Sequence, residues 1–507
     1  MKKERLKAKL ADIAELDSAV DRDAALHKLW LKVRQKGVRK VTLEKSLKRM
    51  ITARDRTSVG EQLAEMFADG EYFVLRQGGK VRVGYWAVEA FNADGDTRKV
   101  LNLMTRADFA LLMENEFIRV GNESEPASRL WLESLDRPTY LSVALDPTGT
   151  VSEDVLNLWQ GFGVVPKHGD CQIILDHIFD VLCAGDVELY EYVMDWFALK
   201  VQNPTRVMGT MLVFRSGQGT GKGIILEDLM MRIFGQHGLL VDDAEQLTGK
   251  FNKHLANACY VFADEALFAG DKRAAQKLKR RVTGGTIAIE PKGIDSFSVA
   301  SSMGIVAATN RDHAIQIDVD DRRVVVCEVA DHRKDDTEYF KPLHDHIRGD
   351  GAAHFLQKML DRDVSGFNPM ADRVITEATL EQRARSLTGP QRWWASIVED
   401  GELPKELVLA SFSEANGEVD PIGTGWEGRT FTVSRQKVRE VYEEWARGHG
   451  NERYNIPYGK AFWNQLRACG AFDLEVSASN TDRQVTIGDL PSQKRAIANF
   501  LRGAVRD

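Results

Sequence analysis

Apolar positions change period several times along the chain. Leu6, Leu10, Ile13 and Leu16 recur at three- and four-residue spacing, which predicts helix in residues 1–56. From about residue 70 the texture becomes short strands and turns. Tyr72–Leu75, a Gly78-Gly79 turn and Val81–Trp86 together read as a hairpin. Pro138, Pro147 and Gly149 punctuate the exit from this region, and a helical pattern runs from Ile173 to Phe197, stopping before Asn203-Pro204. Four apolar runs follow, separated by helical stretches: Met211–Phe214, Tyr260–Ala263, Gly304–Ala308 and Val324–Val329. Runs of this length between helices are the mark of buried parallel strands, because strands covered on both faces lose the alternation of half-exposed ones. After about residue 375 the chain is helical, with a late strand pair, Phe472–Leu474 and Arg483–Ile487; a helical segment closing on a small β-wing has the pattern of a winged helix.

The fold class is therefore α/β, in five segments: a basic helical segment over 1–56, a small mixed α+β domain over 57–150, a helical collar or linker over 151–205, a core of parallel sheet flanked by helices over 206–372, and a mostly helical, winged-helix-like domain over 373–507. Composition agrees with a globular chain: of 507 residues, 43% are hydrophobic and 28% charged. The five scattered cysteines form no C-x-x-C pair and read as buried thiols, neither a disulfide frame nor a zinc site. No apolar run approaches the length of a membrane span, and the charged start leads into no signal-like segment, so the expected place is the cytoplasm of a bacterial host, with the gene on the host or a mobile element. The net charge of −7 argues against a protein that coats nucleic acid indiscriminately, yet allows basic groups confined to a channel. Between Lys28 and Arg56 there are 11 Lys/Arg against 2 Asp/Glu, which is either a solvated or docking face, or a contact with nucleic-acid backbone.

The strand 211–214 runs into Ser216-Gly217-Gln218-Gly219-Thr220-Gly221-Lys222-Gly223 and then a helix from Ile224. A glycine-rich turn between a buried strand and a helix points several backbone N–H groups at one spot, and the lysine reaches the outer phosphates of a nucleotide. Two positions depart from G-x-x-x-x-G-K-[ST]: Ser216 replaces the first glycine, and Gly223 replaces the hydroxyl residue that ordinarily binds Mg²⁺. Tyr260–Ala263 delivers Asp264 and Glu265 at a strand end, where Asp264 can hold Mg²⁺ and Glu265 can orient and deprotonate the attacking water. The plain alternative is a loop with two solvated acids. Strand 304–308 ends in Thr309-Asn310, whose amide either touches the γ-phosphate or merely caps. Asp320-Asp321-Arg322-Arg323 is either a surface ion cluster or the source of an arginine that completes a neighbour's site, with Arg323 favoured because it abuts the strand. Asp94-Gly95-Asp96 has the composition of a turn rather than of a two-metal site.

The order of the phosphate loop, Asp264-Glu265, Thr283-Gly284-Gly285 with Ile289-Glu290-Pro291-Lys292-Gly293, Thr309-Asn310 and Arg322-Arg323 resembles superfamily 3 helicases, and within them the helicase part of phage and plasmid primase-helicases. Asn157-Leu158-Trp159 and Gly249-Lys250-Phe251-Asn252 resemble that branch as well. The resemblance covers about residues 150–335, and 375–450 loosely. It implies an AAA+ P-loop ATPase core using ATP and Mg²⁺, a homo-oligomeric, hexameric ring, and translocation on single-stranded DNA, typically 3′ to 5′. It further implies that Lys292 and Gly293 sit at the tip of a hairpin in the channel, gripping the DNA backbone. Proteins of this kind usually carry a primase module; the expectation here is a stand-alone helicase with a separate primase or initiator as partner and no membrane. The resulting expectation is an ATP-dependent DNA helicase in phage, plasmid or satellite replication. Its rivals are a nucleotide-switched initiator or helicase loader without processive unwinding, and a translocating motor on duplex DNA.

Overall fold

The computed structural model describes the chain except residues 1–2, 17, 37, 68–71, 78, 91–96, 121–122, 251, 266–271, 291–296, 313–314, 415–425, 451, 453–455, 472–483 and 504–507. It divides into two compact units, Met1–Leu158 and Trp159–Asp507.

In the first unit, helices Lys3–Ala14, Ala19–Val33 and Lys40–Met66 bury Leu10, Ile13, Leu26, Leu29, Val33, Leu43 and Leu47 together. The helical period that turns these residues inward leaves Lys28, Lys32, Arg34, Lys45, Lys48 and Arg49 exposed. The expected hairpin forms between Tyr72–Gln77 and Lys80–Ala90, in antiparallel register with Val74 opposite Val83. It lies in a four-stranded sheet with Thr97–Met104 and Thr139–Tyr140. The Asp94-Gly95-Asp96 segment lies outside the described residues.

The second unit is built on a five-stranded sheet, whose strands are named here β1 (Met211–Arg215), β2 (Gly238–Val241), β3 (Tyr260–Asp264), β4 (Gly304–Thr309) and β5 (Val324–Glu328). Their spatial order is β2-β3-β4-β1-β5 and every pair is parallel. Strand β2 was not anticipated: it is apolar, but it is only four residues long, opens with a glycine and lies on an edge, with Leu240 42% exposed. The opposite edge, β5, is covered by the helix Glu377–Arg385. Thr379 Oγ1 accepts from Val326 N at 3.1 Å, and Thr376 donates its hydroxyl to Val326 O, so the edge presents no bare template there.

The helical pattern expected from Ile173 to Phe197 forms as two pieces. Gln172–Leu182 ends where Ala184 and Gly185 take positive φ (51° and 75°), and a new helix spans Val187–Gln202. At its end Lys200, fully buried, donates to the carbonyls of Pro204 (2.7 Å), Arg206 (2.9 Å) and Ser302 (2.5 Å). Three acceptors match the three protons of an ammonium, which is what makes its burial tolerable.

The antiparallel pair Thr286–Ile289 and Phe297–Ala300 forms between β3 and β4, with Ile289 opposite Phe297. Ile287 and Ile289 pack into the sheet's core. Beyond residue 376 the unit is mainly helical around a core that includes Trp393, Trp394, Tyr442 and Phe462. The strand Gln484–Ile487 has Phe431–Ser434 as its antiparallel partner; Phe472–Leu474, the partner expected from sequence, lies outside the described residues. Among the described residues no helix is long and apolar enough to cross a membrane.

Candidate nucleotide site at the carboxyl edge of the parallel sheet

In an open parallel sheet, ligand sites form beyond the carboxyl ends of the strands. Here three of those ends are level: Asp264 of β3 pairs with Ala308 of β4, and Thr309 of β4 pairs with Arg215 of β1. Strand β4 thus separates the glycine-rich loop after β1 from the acids after β3 by two strand spacings, about 10 Å, a gap side chains can span.

The loop needs its glycines. Gly219 and Gly221 have φ of 78° and 89°, where an L side chain is strained. A Cβ on Gly219 would run into the Asp335 carboxylate, and one on Gly221 would lie 2.5 Å from the Phe340 ring and 2.9 Å from His177 Cε1. Asp335 N donates to Gly219 O at 2.9 Å, so the segment after β5 is laid against the loop. On the other side His177 is within 3.3 Å of Gly221 O and 3.1 Å of the Tyr339 hydroxyl. Burial pushes the His177 pKa down to about 4, so the ring is neutral; Nε2 then donates to the carbonyl, and Nδ1 accepts from Tyr339. Arg333 stacks over Tyr339 at 4.5 Å.

Lys222 folds back over the loop, donating to Ser216 O (3.1 Å), Ser216 Oγ (2.8 Å) and Gly217 O (3.1 Å). Ser216, in the place of a first glycine, thereby supplies an acceptor for the lysine, and its hydroxyl also meets Thr220 Oγ1 at 2.7 Å. Burial lowers the Lys222 pKa, opposed by the carboxylates of Glu265, Asp264 and Glu328. The Asp264 pKa is raised by burial and by the charge of Glu265, with Lys222 opposing. Lys222, far in sequence from the adjacent Asp264 and Glu265, thus shares one electrostatic environment with them. Lys334 adds a further cation, its Nζ 4.0 Å from the Cβ position of Gly217.

Glu265 sits at φ 51°, outside the ordinary regions for a non-glycine residue. The conformation is held at both ends: Glu265 N donates to Ala308 O (3.0 Å), and its carboxylate accepts from Asn310 N (2.7 Å) and Thr309 Oγ1 (3.3 Å). Asn310 therefore enters the site through its backbone N–H, which holds Glu265, while its side chain belongs to an exposed residue.

Arg322 and Arg323 lie elsewhere. They precede β5, whose Val324 pairs with Met211 at the start of β1, so they are at the amino edge of the sheet. Five strand residues, about 17 Å, separate that edge from the loop. Arg323 is tied to the buried Asp321, through its backbone N (3.0 Å) and guanidinium (3.4 Å), whereas Arg322 is exposed and has no partner among the described residues.

Lys292 and Gly293 lie outside the described residues. The antiparallel strand that precedes them is held by the buried Asn252, which donates to Ala288 O (2.9 Å) and accepts from Glu290 N (2.9 Å). Trp159 stacks on His237 (4.5 Å, 14° between planes) ahead of β2. Both sequence fragments singled out near the core thus have structural duties.

Sequence reasoning missed His177, Asp335, Phe340 and Glu227, the last reaching over Gly223 from the following turn. A lone histidine and a surface aspartate carry no motif; their roles come from chain segments brought together by the fold. Only Glu227, four positions past Gly223, was within reach of a helical-spacing argument.

Residues 214–323, from the end of β1 to Arg323, match a family described only as a family of unknown function, DUF5906. No curated protein matches the chain. Among solved structures, the apo C-terminal region of NrS-1 is similar at 16% identity and a TM-score of 0.54, covering 84% of this chain and 98% of that one. Two further structures of that region, both A form, give 15% identity with a TM-score of 0.55 and 17% with 0.52, each covering 84% of this chain and 99% of the other. At this identity the likeness is one of fold: the chain shares the architecture of the NrS-1 C-terminal region.

Proposed function

We propose that this chain is an ATP-hydrolysing motor of the AAA+ P-loop type that moves on single-stranded DNA during replication of a phage, plasmid or satellite element. The observation that carries the proposal is that Lys222, Asp264 and Glu265 lie within reach of one another's charge at the carboxyl edge of the parallel sheet, beside a loop that needs glycine at 219 and 221.

The loop's backbone N–H groups cradle the nucleotide phosphates, and Lys222 exchanges its loop carbonyls for phosphate oxygens. Glu265 orients a water and takes its proton as the water oxygen bonds to the γ-phosphorus. The bond from that phosphorus to the ADP oxygen breaks, leaving ADP and phosphate. Asp264, exposed at a strand end and within reach of the charge of Lys222, fits the donor chemistry of Mg²⁺, which is usually held by one or two carboxylates together with substrate phosphates. When bound, that ion offsets charge on the phosphates.

Arg322 and Arg323 are too far to serve the site of their own chain, so an arginine role belongs to a neighbour's site in a homo-oligomeric ring. Arg322, which has no partner among the described residues, takes that role in preference to Arg323. The hairpin base anchored by Asn252 supports a tip bearing Lys292 that grips the DNA backbone.

The missing hydroxyl at Gly223 favours a second reading, a slow nucleotide switch in an initiator or loader. ATP hydrolysis measured with and without single-stranded DNA separates the two. The motor is stimulated many-fold, and Lys222→Ala abolishes turnover; the switch shows no stimulation.

A further inference from the structure

Gly223 stands where a phosphate loop ordinarily supplies a hydroxyl to its metal. The helix that begins there opens with a π-helical turn, Ile224–Leu229. Side chains on a helix lean toward its amino end, so a residue one turn on covers the surface above the position before it. Glu227 does this here: its Oε2 lies 3.9 Å from the point that a Cβ on Gly223 would occupy, and among the described residues no other atom beyond the adjoining backbone comes within 4 Å of that point. Tyr260 OH donates to Leu226 O at 2.7 Å, fixing the turn from which Glu227 extends. Among the described residues the Glu227 carboxylate has no hydrogen-bond or ion-pair partner. It is half-buried; burial raises its pKa, and the charges of Asp228 and Asp264 raise it further, so Asp264 is within its electrostatic reach. Two carboxylates on different elements thus lie near the loop, Glu227 over Gly223 and Asp264 at the end of β3.

We propose that Glu227 replaces the missing hydroxyl, acting with Asp264 as the protein's contribution to binding the Mg²⁺ of a Mg²⁺–nucleotide complex. The inference rests on the nucleotide-site reading above. An absent glycine side chain is what makes room for it: a hydroxyl and the Glu227 carboxylate would compete for the same position. One or two carboxylates are the protein donors expected for Mg²⁺, which would take its remaining oxygens from phosphate and water. The glycine is therefore one half of an exchange, with the glutamate as the other.

The substitution can be reversed. Gly223 has helical dihedrals (φ −60°, ψ −31°), so a serine there needs no backbone change, and among the described residues beyond the adjoining backbone its Cβ would have the Glu227 carboxylate alone within 4 Å. The test is the affinity of the full chain for a fluorescent non-hydrolysable ATP analogue, titrated in Mg²⁺ and in EDTA. Wild type is expected to bind more tightly in Mg²⁺. Glu227→Gln should lose that gain by about tenfold or more while keeping its affinity in EDTA, and adding Gly223→Ser should restore it. Retained affinity in EDTA reports that the variant is folded with its phosphate loop intact. A Glu227→Gln protein with the wild-type response to Mg²⁺ overturns the inference and leaves the nucleotide site standing, as does failure of Gly223→Ser to restore the response. A wild-type chain that binds no analogue in either condition overturns the nucleotide-site reading itself.

Discussion

At Glu265 the backbone leaves the ordinary regions immediately after a regular strand, an arrangement that costs on the order of 1 kcal/mol or more. The surrounding bonds show what holds it: the carboxylate is drawn to Thr309 and Asn310, at the tip of β4, beside the end of β1. The acid assigned to water activation is thereby linked to the strand that lies between loop and acids. Glu265→Gln keeps the size and one acceptor but removes the base. The expected outcome is ATP binding within a few-fold of wild type and turnover reduced by 100-fold or more, on the order found for a lost general base. Filter binding and steady-state hydrolysis read the two separately; near-normal hydrolysis would remove Glu265 from the mechanism.

Among the elements, the glycine-rich loop is held between two segments far from it in sequence, the helical stretch bearing His177 and the turn bearing Asp335. Burial holds both His177 and His237 at about 4 against an ordinary 6.5. Between these values the unfolded chain binds protons that the folded chain refuses, so stability is full above pH 6.5 and is lost as pH falls toward 4. The expected loss near pH 5 is about 2 kcal/mol per histidine, read as a fall in the urea midpoint between neutral and acid pH. A midpoint that does not move would contradict the neutral, buried state of both rings. The antiparallel pair between β3 and β4 is packed into the core, and the proposal gives the residues that connect it, Lys292 among them, a contact with DNA. On that proposal Lys292→Ala should leave basal ATPase activity near wild type and abolish strand displacement. Unwinding that survives this change would sink the role given to the hairpin.

The elements also show how much was legible in sequence. Strands β1, β3, β4 and β5 announce themselves as apolar runs because both faces are covered, and Asp264-Glu265 stands out because a strand end is where chemistry gathers. Strand β2 is apolar as well, but four residues opening with a glycine at a sheet edge are too short a run to be told from a stretch of helix. The break at Ala184-Gly185 hides inside a continuous apolar pattern, for periodicity reports which face is buried and not where the chain turns. His177 and Asp335 were invisible for a different reason: their work is defined by one backbone carbonyl and one backbone N–H contact to the loop, which no residue type signals.

For the molecule as a whole, the separation of the arginine pair from the loop is the most consequential distance. Both ends belong to strands β1 and β5, which are rigidly paired, so no side-chain rearrangement brings Arg322 to Lys222 within one chain. If the arginine serves catalysis, it does so across a subunit boundary, and the defect in Arg322→Ala should be dominant. Mixing the variant with wild type should depress hydrolysis below the average of the two, whereas Arg323→Ala should act mainly through loss of its Asp321 contact. A strictly proportional loss with Arg322→Ala would argue against a shared site.

The central claim is that ATP turnover at the carboxyl edge of this sheet is coupled to single-stranded DNA. It is tested most directly by steady-state ATP hydrolysis in Mg²⁺ at low salt, alone and with single-stranded DNA, duplex DNA or RNA, in wild type and in Lys222→Ala. The account predicts many-fold stimulation by single-stranded DNA above the other nucleic acids, and no turnover in the variant. Hydrolysis indifferent to every nucleic acid, or turnover that persists without Lys222, would contradict it.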